Sequence, residues 1–161
     1  MARFEEAVRF VLSNEGGYVN DKDDPGGETM HGISKRSYPH LDIKHLTVDQ
    51  AKRIFHEDFW QKNNYGEIMS QDLATKILDM AVNMGPVNAH KAVQTACNVV
   101  LNLKLPVDGI LGKRTLNALN DAFAIDMDLE LYRAMCHYQA NYYESIGHKK
   151  FLRGWLLRAF S

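Results

Sequence analysis

The sequence predicts a single, mainly α-helical domain with one small β-hairpin. Its 161 residues are enough to bury a core, and 45% apolar and 24% charged residues are ordinary proportions for a soluble globular domain. Apolar residues recur at helical spacing through most of the chain, whereas the hairpin pattern is confined to a stretch near the N-terminus. The sequence contains no internal repeat, low-complexity tract or long linker, which favours one globule over residues 1–161.

Two elements are predicted before residue 34. Residues 3–15 place apolar side chains at helical spacing with charged ones opposite, and end at a pair of glycines, which predicts an amphipathic helix. Residues 18–20 and 29–33 flank a segment rich in Asp, Pro and Gly, which predicts a short hairpin. Because side chains alternate along a strand, we expect Thr29 and His31 to share one face of that hairpin.

The rest of the chain is predicted to be helical. Thr47 and Gln50 have the spacing of a capping box, and apolar periodicity continues from there to about Trp60. Residues 71–84 are predicted to form a nearly all-apolar helix, and a Gly-Pro pair separates it from the next. Apolar periodicity predicts four further helices: one that begins at residue 86, one that includes 115–119, one over 128–146 and one over 149–160.

Charge, cysteine and hydropathy patterns exclude several classes of protein. A formal net charge of −1 lacks the basic excess of a nucleic-acid-binding protein. Cys97 and Cys136 lie in apolar helical segments, so we expect two buried free thiols, with a disulfide as the alternative. The sequence shows no secretory signal and no membrane-spanning stretch. We therefore expect synthesis in a cytoplasm, with another factor responsible for release.

Glu15 is the first candidate for chemistry, because it ends an apolar helix and is followed by a Gly-rich loop. Partial burial at such a place favours the protonated form of a carboxyl group. Asp24 lies in an open polar segment that keeps a carboxylate ionised, with Asp21 and Asp23 as competing candidates. One acid and one base are what hydrolysis of a glycosidic bond needs. Thr29 could hold the attacking water, in the inverting arrangement with carboxyl groups about 6.5–9.5 Å apart.

Several motifs resemble those of glycoside hydrolase family 108, a family of N-acetylmuramidases that includes phage endolysins and secretion-activator-like enzymes. The N-terminal signature is carried by 14–21 (Asn-Glu-Gly-Gly-Tyr-Val-Asn-Asp), 24–29 (Asp-Pro-Gly-Gly-Glu-Thr) and 32–34 (Gly-Ile-Ser). Residues 79–86 resemble the second motif, and 107–112 with Thr115 are similar to a turn in the C-terminal peptidoglycan-binding region of the family. The order Glu15, Asp24, Thr29 also resembles the triad of phage-type lysozymes, in which the second gap is one residue longer.

The resemblance implies a lysozyme-like fold in which Glu15 is the catalytic acid. It implies a catalytic part at 1–86 and a helical peptidoglycan-binding-like part at 87–161 within one globule. The expected reaction is hydrolysis of the β-1,4 bond between N-acetylmuramic acid and N-acetylglucosamine in bacterial peptidoglycan, without cofactor or metal. We expect a monomer that acts on the cell wall after release, as a phage endolysin does, with a bacterial origin left open.

Two other functions remain open at this point. A lytic transglycosylase also needs one glutamate, but no water and no Asp24, and leaves a 1,6-anhydro product. A non-catalytic peptidoglycan-binding or secretion-accessory protein would keep the Asp108-Gly109 turn and lack activity, although the intact loop after Glu15 argues against it.

Four further side chains are expected to bind substrate, and each has an alternative structural explanation. They are Tyr18, His31, Asn83 and Trp60. The two aromatic residues could instead pack in the core, the histidine could be hydrogen-bonded and partly buried, and the asparagine could cap its helix.

The C-terminal segment 149–161 is basic and amphipathic. It contains no acidic residue, and one helical face carries Phe151, Leu152, Trp155, Leu156 and Ala159. Such segments can insert at membrane surfaces. Packing of this face on the core with the charges outward is the favoured alternative, so we expect at most a weak membrane contact here.

Overall fold

Helices dominate the computed structural model, which describes residues 1–20, 27–147 and 149–160. The helices are α1 (Phe4–Asn14), α2 (Val48–Ile54), α3 (Gln71–Met84), α4 (Pro86–Val100), α5 (Lys113–Ala124), α6 (Asp128–Ile146) and α7 (Lys149–Ala159). Three short strands lie between α1 and α2: β1 (Val19–Asn20), β2 (Glu28–Met30) and β3 (Ile33–Ser34). The prediction of a mainly α-helical fold with a small β-element beside the first helix is confirmed.

The strands form an antiparallel sheet in the order β1-β2-β3, with one strand more than the predicted hairpin. Thr29 pairs with Ser34 and Met30 pairs with Ile33, which leaves two residues in the turn. Both turn residues have positive φ, 51° at His31 and 79° at Gly32, as a type I′ turn requires. The prediction of one continuous strand over 29–33 is therefore wrong. His31 does not share a strand face with Thr29, because the chain reverses at His31.

Local signals account for the helix boundaries. Thr47 and Gln50 form the predicted capping box, with the Gln50 N–H donating to Thr47 Oγ1 at 3.2 Å and the Thr47 N–H donating to Gln50 Oε1 at 2.8 Å. The helix begun by α2 continues as a π-helical segment over Phe55–Gln61. Gly85, with φ of 82°, and Pro86 separate α3 from α4, since only glycine adopts that φ without strain and proline favours a first helical position.

Helix α3 lies at the centre of the core and contacts α1, α4 and α6. Its side chains Leu73, Ile77 and Leu78 are fully buried. Burying each such side chain contributes roughly 1.5–3 kcal/mol to the free energy of folding. The buried face of α3 is therefore a large part of the core. Lys76 and Asp79 are also buried on α3, at 1% and 0% exposure, and charged groups at such depth need partners.

Both cysteines are free and buried, as predicted, and burial raises the pKa of the Cys97 thiol to about 12. Within the described ranges, no helix is both long and apolar enough to span a bilayer. Helix α7 packs its apolar face on α6: Ala159 is fully buried, and Leu152, Trp155 and Leu156 pack against Ala140 and Tyr143. The face predicted for membrane insertion is thus largely used for packing. A weak membrane contact of residues 149–161 stays a prediction.

Candidate active site

Glu15 occupies the C-terminal cap of α1, where the sequence placed it. Its backbone N–H donates to the carbonyl of Val11 at 3.1 Å, and its backbone is extended, so the chain leaves the helix at this residue. The side chain turns inward and is 11% exposed. A carboxylate this well covered keeps only a small opening to solvent, on the side of a cleft.

The cleft has a volume of about 860 Å³, which is within the range of small-molecule sites. The β-sheet forms one wall, and the junction of α3 and α4 forms another. Helices α6 and α7 add aromatic side chains. The lining includes Glu15, Thr29, Gly32, Asn83, Tyr142 and Trp155. The cleft therefore joins parts of the chain that lie more than one hundred residues apart in sequence.

The Glu15 carboxylate forms an ion pair with Arg158 of α7. Arg158 Nη2 donates to Glu15 Oε1 at 2.6 Å and to Asp79 Oδ1 at 2.8 Å. Arg158 Nε donates to Asp79 Oδ1 at 3.2 Å, with a longer contact of 3.4 Å to Oδ2. Burial alone would lower the pKa of Arg158, but the Asp79 and Glu15 carboxylates outweigh it and hold that pKa above its usual range. The guanidinium therefore stays charged between two carboxylates.

The other side of the Glu15 carboxyl group lies against Gly32. A Cβ atom at Gly32 would lie 2.9 Å from Glu15 Cδ, 3.1 Å from Glu15 Oε2 and 2.9 Å from Val82 Cγ1. Only glycine leaves room at this position, and its φ of 79° also favours glycine. Oε1 thus faces Arg158 and Oε2 faces the β2–β3 turn, so the two oxygens of the carboxyl group have different surroundings.

Thr29 and Asn83 line the same cleft as Glu15. Thr29 Oγ1 donates a long hydrogen bond of 3.4 Å to the carbonyl of Gly27, and the residue lines the cleft. Asn83 Nδ2 donates to the carbonyl of Asp79 at 2.7 Å, one turn back along α3, while the residue is exposed. Their predicted roles, water holding for Thr29 and substrate binding for Asn83, are compatible with these positions and stay predictions.

Tyr18, His31 and Trp60 lie outside the described lining of the cleft. Trp60 is 6% exposed and packs edge-on against Phe4 and Tyr65. The prediction that Trp60 contacts a sugar is corrected: it is a core residue, since its ring is covered by neighbouring aromatic rings. Tyr18 is 37% exposed and donates its hydroxyl to Glu28 Oε1 at 3.0 Å, and His31 occupies the turn before Gly32. Trp155 of α7 lines the cleft instead.

The predicted partners Asp21, Asp23 and Asp24 lie outside the described residues, so their distance from Glu15 stays a prediction. Within the described ranges, no group of three His, Cys, Asp or Glu side chains could hold a metal ion.

The Asp108-Gly109 turn is fixed to α4. Gln94 Nε2 donates to Asp108 Oδ1 at 2.7 Å, and the Gly109 N–H donates to Gln94 Oε1 at 2.9 Å. His90 Nδ1 lies 2.9 Å from the carbonyl of Gly109, and a Cβ at Gly109 would lie 2.7 Å from Val87 Cγ1. The hydrogen bond from Gln94 lowers the pKa of Asp108. These contacts give the turn a structural role in joining α4 to the segment before α5.

The sequence analysis missed the contacts that Arg158, Asp79 and Gly32 make around Glu15. A signal for the first two existed: Asp79 lies between Leu78 and Met80, and Arg158 lies next to the buried Ala159. A charged residue inside an apolar segment needs a buried partner. Which partner it takes is a matter of tertiary structure, because 79 residues separate this pair.

Two family matches cover nearly the whole chain. Residues 8–85 match Glycosyl hydrolase 108, and residues 88–160 match a predicted peptidoglycan domain. The structure of Brucella abortus SagA is similar, with a TM-score of 0.80 and 27% sequence identity over 97% of this chain and 88% of that chain. A comparison with curated proteins gives no match. The fold is lysozyme-like; its N-terminal half is similar to the glycosyl hydrolase 108 family, and its C-terminal half is similar to a predicted peptidoglycan domain.

Proposed function

We propose that this protein is an N-acetylmuramidase that hydrolyses the β-1,4 bond between N-acetylmuramic acid and N-acetylglucosamine, with Glu15 as the general acid. The observation that carries the proposal is the Glu15 carboxyl group, 11% exposed on the wall of a cleft that Thr29 and Asn83 also line. The family match to residues 8–85 supports a glycoside hydrolase, and the match to 88–160 supports peptidoglycan as the polymer.

The proposed reaction moves one proton and one water. Glu15 gives its proton to the bridging oxygen as the bond from that oxygen to the anomeric carbon breaks. Thr29 or Asp24 holds a water, whose oxygen forms the new bond to the anomeric carbon while its proton passes to a carboxylate. Side chains and water supply every group in this scheme, so no cofactor takes part. Direct attack by water, as written here, inverts the anomeric carbon, whereas a retaining reaction would need a carboxylate to bond to that carbon first.

We further propose that the protein acts as a monomer on the cell wall, after release from the cytoplasm in which it is made. An endolysin of a phage fits this description. Purified protein should then lyse cells whose outer barriers have been opened, and should elute as one chain in size-exclusion chromatography. Failure to lyse opened cells, with hydrolysis of purified wall intact, would argue against a bacteriolytic role.

Digestion of purified peptidoglycan by the wild type and by Glu15→Gln tests the enzymatic proposal. Mass spectrometry should find fragments ending in reducing muramic acid from the wild type alone. Anhydro-muramic ends would move the protein to the lytic transglycosylases. Absence of products from both proteins, with wall binding retained in a sedimentation assay, would instead indicate a binding module.

A further inference from the structure

The geometry points to Arg158 of α7 as a positioning residue for Glu15, so that the catalytic site is completed by the peptidoglycan-binding region. This inference rests on the proposed role of Glu15 as the acid. Arg158 would touch no substrate atom in this role. It acts by fixing the direction of the Glu15 carboxyl group.

The first support is the fixed position of the guanidinium group itself. Asp79 is completely buried and accepts from both Nε and Nη2 of Arg158. Two hydrogen bonds from one planar guanidinium group to one buried carboxylate restrict its rotation. The nitrogen that then reaches Glu15 Oε1, at 2.6 Å, is therefore aimed by Asp79.

The second support is the asymmetry that results at Glu15. Arg158 occupies Oε1, while Oε2 lies against the β2–β3 turn at Gly32 and so toward the wall that carries Thr29. Among the hydrogen bonds of the described residues, Oε1 accepts from Arg158, so Oε2 is the oxygen that can carry a proton. A general acid needs its proton aimed at one atom, and an error of about 1 Å in such placement costs on the order of 10²-fold in rate.

The third support is a separate anchor for α7. Lys76 is 1% exposed, and its Nζ donates to the carbonyl of Ala159 at 2.7 Å and to that of Arg158 at 3.4 Å. Cations favour the C-terminal carbonyls of a helix, which have no partner within it. Lys76 and Asp79 lie about one helical turn apart on α3, so one buried face of α3 holds both the end of α7 and the side chain of Arg158.

These contacts link the two halves of the chain at the reacting group. The ion pair joins residues 143 positions apart, one in each of the two regions that match different families. Residues 8–85 supply Glu15 and Asp79, but the cation between them comes from α7. The N-terminal region is accordingly incomplete as a catalytic unit, although it contains Glu15 and the whole N-terminal signature.

The test compares Arg158→Gln with Arg153→Gln, an exposed arginine on the same helix that serves as the matched control. Rates on soluble glycan strands from peptidoglycan separate kcat from KM, sedimentation with insoluble wall measures binding, and circular dichroism verifies folding. We expect Arg158→Gln to lower kcat on the order of 10²-fold with KM and wall binding unchanged, and Arg153→Gln to match the wild type.

Two more variants separate positioning from simple stability. Arg158→Lys keeps the positive charge but loses the planar guanidinium group. We expect this variant to fold and to have a kcat about tenfold below that of the wild type. It therefore tests the positioning role even if Arg158→Gln does not fold. The double variant Asp79→Asn with Arg158→Gln should be no slower than Arg158→Gln alone, because both changes remove the same Asp79–Arg158 interaction.

Several results would overturn the inference. Wild-type kcat in folded Arg158→Gln or in Arg158→Lys would show that the ion pair does not position Glu15. A rise in kcat would show that the pair is inhibitory. A fall in wall binding with kcat unchanged would assign Arg158 to polymer binding. In each of these cases the wild type is active, whereas failure of the proposed function itself appears as an inactive wild type.

Discussion

Replacement of Gly32 by alanine tests the close contact between the β2–β3 turn and Glu15. The added Cβ would lie 2.9 Å from both Glu15 Cδ and Val82 Cγ1, so either the turn or the carboxyl group must move. A non-glycine residue at this φ of 79° costs roughly 1–2 kcal/mol, and the overpacking adds about 1–3 kcal/mol. We expect the free energy of unfolding to fall by about 2–5 kcal/mol.

Activity should fall further than stability alone accounts for. A shift of Glu15 approaching 1 Å would lower the rate on the order of 10²-fold, even where the variant is fully folded. Urea titration followed by circular dichroism gives the free energy of unfolding. Release of reducing ends from peptidoglycan, measured at a temperature where both proteins are folded, gives the rate.

Gly147→Ala is the matched control. Its φ of 73° imposes a similar backbone cost, but apart from its chain neighbours no atom of the described residues lies within 4 Å of the added Cβ, so the steric part is missing. We expect a loss of roughly 1–2 kcal/mol and an unchanged rate. Equal losses of stability in the two variants, with equal rates, would refute the proposed contact between Gly32 and Glu15.

Three further expectations concern the scaffold. Burial lowers the pKa of His90, whereas the unfolded chain takes up a proton at about 6.5, so stability should fall as pH drops through 6.5. Unfolding free energies at several pH values should lose this slope in His90→Gln, and a slope that persists would assign it to other groups. Lys76→Met leaves the carbonyl of Ala159 without its donor and should cost about 1–3 kcal/mol and expose α7 to proteolysis; unchanged digestion of α7 would contradict its anchoring role. Thr47→Ala removes the capping box and should lower stability by about 1 kcal/mol at an unchanged rate of hydrolysis, whereas a change in rate would contradict a purely structural role.

Patterns that act over a few residues were readable from the sequence. Apolar periodicity located α3 and α6 to the residue, and the spacing of Thr47 and Gln50 located the start of α2. These helices depend on local hydrogen bonds and on which of their faces is apolar, and residues close together in the sequence determine both. The place of Glu15 at the end of α1 was readable for the same reason.

Features that depend on tertiary contacts were not readable. The β2–β3 turn is the exception: Gly32 is a local signal for a two-residue turn, but the residues on either side of it favour one continuous strand. From the sequence alone, Trp60 fits a sugar-binding site as well as it fits the core. The packing of Phe4 and Tyr65 against its ring places it in the core. The partner of Glu15 lies 143 residues away, and no periodicity spans that separation.

The most direct measurement is digestion of peptidoglycan in water enriched in oxygen-18 by the wild type and Glu15→Gln. A Glu15-dependent hydrolase places one heavy oxygen on the anomeric carbon of each new muramic acid end, and the glutamine variant releases no such ends. Products from the wild type without heavy oxygen, or equal release of heavy ends by the variant, would contradict the proposal that Glu15 drives hydrolysis of the glycan.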